Sequence, residues 1–202
     1  MCISTCANCV NSHSMSLTSI SLGQTATGTL CSISSSSSND WFKIKANSNG
    51  KLIVEMTPSA ADLDLEVDAE TFIGGGCSNL VYLGKSNNGG STKETVIVDA
   101  TASYTYWIKT YYYSGSGATG TVTAKLVECT ANNASDSACP SAKPYCSSNK
   151  CVGCISDTNC ATNPNGKYCD TANNKCVECL NNNDLDGDSI DNDQCRSYVS
   201  PK

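Results

Sequence analysis

Residues 182–195 read Asn182-Asn183-Asp184-Leu185-Asp186-Gly187-Asp188-Ser189-Ile190-Asp191-Asn192-Asp193-Gln194-Cys195. Side-chain oxygens recur at alternate positions, on Asn182, Asp184, Asp186 and Asp188, with Asp193 beyond and Asp191 as a less regular addition. A hard cation with six to eight oxygen ligands needs that spacing, and Gly187 permits the tight turn around it. The five carboxylates hold −5 of a formal net charge of −6, with no base among them. Packed this closely they repel one another unless a cation neutralises them. Calcium is therefore expected here, rather than a solvated acidic linker.

The 15 cysteines are the second chemical signal. At that density, with Asn, Gly and Ser between them, they read as a disulfide framework made in an oxidising compartment. The competing reading is zinc, because Cys151-Val-Gly-Cys154 and Cys176-Val-Glu-Cys179 are CxxC pairs able to build one tetrahedral thiolate site. Cys139, Cys146, Cys160 and Cys169 interleave with these pairs and leave too many thiols over. Disulfides are expected, and the odd count leaves one Cys without an internal partner. The N-terminus, Met1-Cys2-Ile3-Ser4-Thr5-Cys6, carries no secretion signal, which suggests a mature fragment or a piece of a longer precursor.

Other chemistry is thin. A single histidine, His13, sits in a Ser-rich stretch, so no nucleophile-and-base pair can be assembled around histidine. Lys and Arg total 13 and form no basic cluster, which argues against nucleic-acid binding. Apolar runs are too short to span a bilayer.

These candidate sites are set in two regions of different composition, which meet near Cys129. Residues 16–128 hold only Cys31 and Cys77, along with both Trp and both Phe; residues 129–202 hold ten Cys. The first region can bury a core, and the second must be stapled. Strands are expected at 27–33, 40–46, 51–57, 63–68, 80–83, 94–98, 104–110 and 119–127. Leu52, Val54 and Met56 alternate cleanly with polar neighbours, as do Val122, Ala124 and Leu126. Eight strands with frequent turns indicate an all-β fold, a jelly-roll β-sandwich followed by a largely irregular, disulfide-rich region. The expected division is 1–15, the end of a Cys-rich segment; 16–128, the sandwich; 129–180, two Cys-rich repeats; and 181–202, the calcium loop and the start of a third.

The order Asp40-Trp41-Phe42, Asp62-Leu63-Asp64-Leu65, Glu94-Thr95-Val96 and Tyr104-Thr105-Tyr106-Trp107-Ile108, with Gly-rich turns, resembles the bacterial pre-peptidase C-terminal domain. The resemblance covers residues 20–127. It implies a compact jelly roll of the kind appended to secreted enzymes and surface proteins, similar to clostridial collagen-binding modules. The chain has Thr101-Ala102-Ser103 where that family usually carries Gly. The acidic loop resembles thrombospondin type 3 repeats and, less closely, an EF-hand loop, and this implies calcium ligation by the residues named above.

In the tail, Tyr145-Cys146 and Asn149-Lys150-Cys151-Val152-Gly153-Cys154 recur as Tyr168-Cys169 and Asn174-Lys175-Cys176-Val177-Glu178-Cys179, a duplication. Units are read as starting at Cys139 and Cys160, with a third opening at Cys195. Cys31 and Cys77 are expected to pair, since no other Cys lies between residues 10 and 128.

Three weaker candidates remain. Asp62, Asp64, Glu66 and Asp68 share one strand face and are expected as a solvated outer face paired with Lys43, Lys45 or Lys109, ahead of a second calcium site. Trp107, Tyr111, Tyr112 and Tyr113 are candidates for a ligand platform, with at least one Tyr expected in the core. Asn133-Ala134-Ser135 is a glycosylation sequon. The whole points to a secreted or cell-surface, non-enzymatic structural or adhesive module, whose partners are copies of itself or neighbouring modules. The alternative is a glycan- or collagen-binding accessory module.

Overall fold

The computed structural model describes residues 12–33, 39–70, 80–115 and 117–177. The chain divides between Glu128 and Cys129 into two compact units.

The first unit is built from β1 (Ser12–Ile20), β2 (Thr25–Ile33), β3 (Asn39–Ala46), β4 (Gly50–Pro58), β5 (Asp62–Glu70), β6 (Leu80–Ser86), β7 (Glu94–Ala100), β8 (Thr105–Ser114) and β9 (Ala118–Val127). One sheet runs β1-β3-β8-β5-β6 and the other β2-β9-β4-β7. Without β1, which pairs parallel to β3, the orders β3-β8-β5-β6 and β2-β9-β4-β7 are those of an eight-stranded jelly roll.

Alternation decides what lies between the sheets. Phe42, Ile44, Leu63, Leu65, Val67, Tyr106 and Ile108 from one sheet pack in a single core with Leu52, Val54, Met56, Val96, Val98, Val122, Ala124 and Leu126 from the other. Each large side chain buried this way contributes about 1.5–3 kcal/mol. Gly28 makes room for it: a Cβ there would stand 2.6 Å from the Phe42 ring. Tyr106 keeps its polar end satisfied, its hydroxyl accepting the Thr101 N–H at 2.7 Å. In the β7–β8 turn, Ser103 takes φ 71°, a left-handed backbone that glycine would enter without steric cost.

All eight expected strands form, and several run longer. β8 continues to Ser114 because the Tyr run pairs with β5, Tyr111 opposite Asp64 and Tyr112 opposite Leu63. β1 was not expected. Its serines hide the alternation, its register breaks between Ser14 and Ser19, and Met15 and Ile20 are its core residues. An N-terminal boundary at residue 15 therefore cuts through a strand.

The second unit contains β10 (Ala134–Ser135), β11 (Tyr145–Ser147), β12 (Lys150–Val152), a one-turn 3-10 helix (Asp157–Cys160), β13 (Tyr168–Asp170) and β14 (Lys175–Val177). Four disulfides join Cys129–Cys146, Cys139–Cys151, Cys154–Cys169 and Cys160–Cys176. First pairs with third and second with fourth, twice over. This corrects the phase of the repeat: the units open at Cys129 and Cys154, not at Cys139 and Cys160. Each repeat carries a hairpin, β11–β12 or β13–β14, whose facing cysteines, Cys146 with Cys151 and Cys169 with Cys176, are each bonded elsewhere. The β11–β12 turn uses Ser148 and Asn149 at φ 51° and 63°, the positive pair that a two-residue hairpin turn favours.

Candidate functional site

The outward face of the five-stranded sheet carries the first unit's chemistry. Trp41 faces Lys109 across β3 and β8, and Lys43 faces Trp107, so two indoles and two amines alternate as on a chequerboard. The indoles meet edge to face at 6.3 Å. Lys43 Nζ lies 5.4 Å from the Trp107 ring centre, and Lys109 Nζ lies 5.4 Å from that of Trp41 and 5.2 Å from that of Tyr111. Contacts of this kind contribute about 0.5–1 kcal/mol each at exposed sites and more when desolvated. Trp107 also donates Nε1–H to Glu70 at 3.4 Å and is only 3% exposed.

The acidic row of β5 lies beside this face, and it is not a solvated one. Asp64 and Asp68 are 6% and 5% exposed. The bulky aromatics of the flanking strand, Trp107 opposite Asp68 and Tyr111 opposite Asp64, remove them from water. Burial, aided by the Glu66 charge and opposed by Lys109, pushes the Asp68 carboxyl up to about 6. Burial also raises Asp64, with the Asp62 and Glu94 carboxylates adding to it and the Tyr111 hydroxyl opposing it. Of the expected lysine partners, Lys109 reaches Glu66 at 3.7 Å, whereas Lys43 stands over Trp107.

The four aromatics offered as a platform are not brought together as one. Trp107 is buried, Tyr112 packs against the core and hydrogen-bonds the Gly115 carbonyl, and Tyr111 is half-buried beside Asp64. Tyr113 alone of the four is open, at 71% exposure. The expected core tyrosine is thus Tyr112, as strand alternation requires.

In the tail, the eight described cysteines are all in disulfides, which leaves Cys151, Cys154 and Cys176 no thiolate for a CxxC zinc site. The sulfurs of Cys129, Cys139 and Cys151 lie within 4.8 Å of one another, as do those of Cys154, Cys160 and Cys169. Such crowding suits two bridges packed side by side. Polar latches recur with the repeat. Asn149 Nδ2 donates to the Cys129 carbonyl at 3.2 Å, and 25 residues on Asn174 Nδ2 donates to that of Cys154 at 3.2 Å. The two N–H groups after the first Cys are also held in both: by Asp136 Oδ2 in Thr130 and Ala131, and by Asn159 Oδ1 in Ile155 and Ser156. Asn149 and Asn174 were visible as a recurring motif, but their role was not. Asp136 and Asn159 sit at different distances from the first Cys, so no spacing signal could have found them.

Asn133 is exposed at φ 48°. The acidic run with Asn182, Asp184, Asp186, Asp188, Asp191 and Asp193 lies outside the described residues, as do Cys77, Cys179 and Cys195. Cys31 lies in β2. No helix among the described residues is long and apolar enough to cross a membrane.

No family model matches the chain, and no curated protein matches it. Among solved structures it is similar to the pre-peptidase C-terminal domain of a Bacillus anthracis collagenase. That pair shares 14% identity over 54% of this chain and 91% of the other, with a TM-score of 0.36. It is also similar to Aeromonas hydrophila PliG, a periplasmic inhibitor of g-type lysozyme, at 10% identity over 57% and 98% and a TM-score of 0.33. A β-glucosidase from Paenibacillus barengoltzii matches at 11% identity over 52% of this chain and 11% of its own, with a TM-score of 0.31. These are distant likenesses. At such identities and scores they assign neither ligand nor activity to this chain.

Proposed function

We propose that the chain is a non-enzymatic extracellular module with a structural or adhesive role, acting as a repeating tile of a cell-surface protein or filament. The observation that carries this reading is the pair of self-closed disulfide repeats. Each holds its own first-to-third and second-to-fourth bridges, so units can be added in series without rewiring those before them. Four bridges in a 49-residue stretch belong to an oxidising compartment. Calcium at Asp184, Asp186, Asp188 and their neighbours would order residues 184–193, since Leu185 and Ile190 are the only apolar residues in that run.

Electron microscopy and light scattering of the purified chain, with calcium and then with a chelator, test this reading. Ordered assemblies that loosen on chelation support it. A chain that stays monomeric at high concentration in both conditions overturns it. A second reading, a glycan- or collagen-binding accessory module, is favoured by Tyr113 and Tyr82, both strongly exposed. Retention on glycan or collagen arrays, lost in Tyr113→Ala, would support that reading instead.

A further inference from the structure

Asp62 opens β5 with one carboxylate oxygen, Oδ1, shut off from solvent and without a hydrogen-bond donor. Its other oxygen accepts from Ser114 Oγ at 3.4 Å, a long bond. An unsatisfied buried carboxylate oxygen is costly, and Asp62, itself half-buried, lines a cavity of about 270 Å³ together with Asp64, Asn87, Gly89 and Tyr113. At about 30 Å³ per water, the cavity takes an ion with several of its waters.

The charges around it do not balance. Asp64 is 94% shielded from solvent, and the carboxylates of both Asp62 and Glu94 act on it, against Lys85 as the base within reach. Glu94 is wholly buried, and both its oxygens accept the Asn88 N–H, at 3.0 and 3.1 Å. That bond fixes the loop between β6 and β7 on which Asn87 and Gly89 stand. Asn88 Nδ2 donates to the Lys93 carbonyl at 3.1 Å, and Thr92 Oγ1 to the Gly89 carbonyl at 2.9 Å, closing the loop upon itself. The lining therefore offers carboxylate, carboxamide and hydroxyl oxygens, no nitrogen base and no sulfur, which is the donor set of a hard divalent cation.

The geometry points to a calcium site at this end of the sandwich, with the Asp62 and Asp64 carboxylates as anionic ligands, the Asn87 side-chain oxygen as a neutral one, and water completing the shell. Its ligands are different residues from those of the acidic run 182–193. A cation here would satisfy the orphaned oxygen and tie the β6–β7 loop to the start of β5. Its predicted effect is to stiffen that end of the fold against heat and proteolysis.

The test uses the full chain with Asp186→Ala, which removes a central ligand of the other acidic run, and titrates calcium ions alone by calorimetry. Terbium luminescence sensitised by Tyr111 and Tyr113 is a second readout. The Asp186→Ala chain is expected to bind one calcium in the range of extracellular modules, about 0.1–1 mM. Adding Asp62→Asn, or Asn87→Ala on the exposed loop, should weaken it about tenfold or more and dim the terbium signal. Asn87→Ala serves if Asp62→Asn misfolds. No binding by Asp186→Ala at about 10 mM calcium, or unchanged affinity in both added variants, overturns the site. If the unaltered chain binds one calcium that Asp186→Ala abolishes, this site fails and the tail loop stands. If Asp62→Asn abolishes it and Asp186→Ala does not, the reverse holds.

Discussion

The sandwich buries Phe42, Leu52, Leu65 and Ile108 between two sheets, whereas the tail's buried clusters are made of Cys129, Cys146 and Cys151, and of Cys154, Cys160 and Cys169. In the sandwich, stability comes from apolar area removed from water and acts on the folded state. In the tail it comes largely from cross-links that limit the unfolded chain. One region should therefore answer to core substitutions and pH, and the other to reductant.

The largest expected effect is chemical reduction. The bridges span 12 to 17 residues, and each contributes about 3 kcal/mol on the chain-entropy model, with little core to replace it. Amide NMR in a strong reductant should show residues 129–177 collapsing to unfolded positions while the sandwich signals stay dispersed. A tail that remains folded after full reduction would erase the contrast.

Next in size is Phe42→Ala. The ring lies wholly buried over Gly28, so its loss should cost about 3–5 kcal/mol in denaturant unfolding of the sandwich. The tail disulfides should map unchanged by mass spectrometry.

The pH dependence follows from Asp68. Its folded carboxyl titrates near 6, above the value of about 3.9 for an unfolded chain, so between these the folded state binds more protons. Its contribution is full below pH 4 and is lost as pH rises through 6, on the order of 2 kcal/mol. Thermal unfolding of the sandwich should show that decline, and Asp68→Asn should flatten it. A rise in stability over the same window would contradict the burial of Asp68.

The smallest effect is Asn174→Ala, which removes the latch on the Cys154 carbonyl. It should cost about 1 kcal/mol and speed amide exchange in the second repeat, leaving the first unaffected. A change in the first repeat would mean that the two are not independently closed.

Legibility in the sequence followed the same division. Strands such as β4 and β9 were readable because Leu52, Val54 and Met56, or Val122, Ala124 and Leu126, alternate with polar residues. β1 was not, since serine on both faces carries no periodic signal and its place depends on pairing with β3. Asp64 and Asp68 were readable as a row but not as buried, because their shielding comes from Trp107 and Tyr111, distant in sequence. The duplication was plain from the Asn-Lys-Cys-Val motif, yet its phase was not. Which Cys opens a unit depends on which sulfurs meet, and a CxxC spacing reads alike whether its two cysteines share a module or divide between two.

The interlocked bridges also set how the tail responds to a pull on its ends. Tension entering at Cys129 passes through sulfur to Cys146, along the backbone through Cys151 and Cys154 to Cys160, and through sulfur again to Cys176. The residues in the two bypassed loops bear none of it. The taut path is about 50 Å of extended backbone plus two bridge steps of 5.8 and 5.5 Å, roughly a third of the reach of the same chain unbridged. Stretched, residues 129–176 behave as a short tether with a hard stop, and a reductant would lengthen it abruptly.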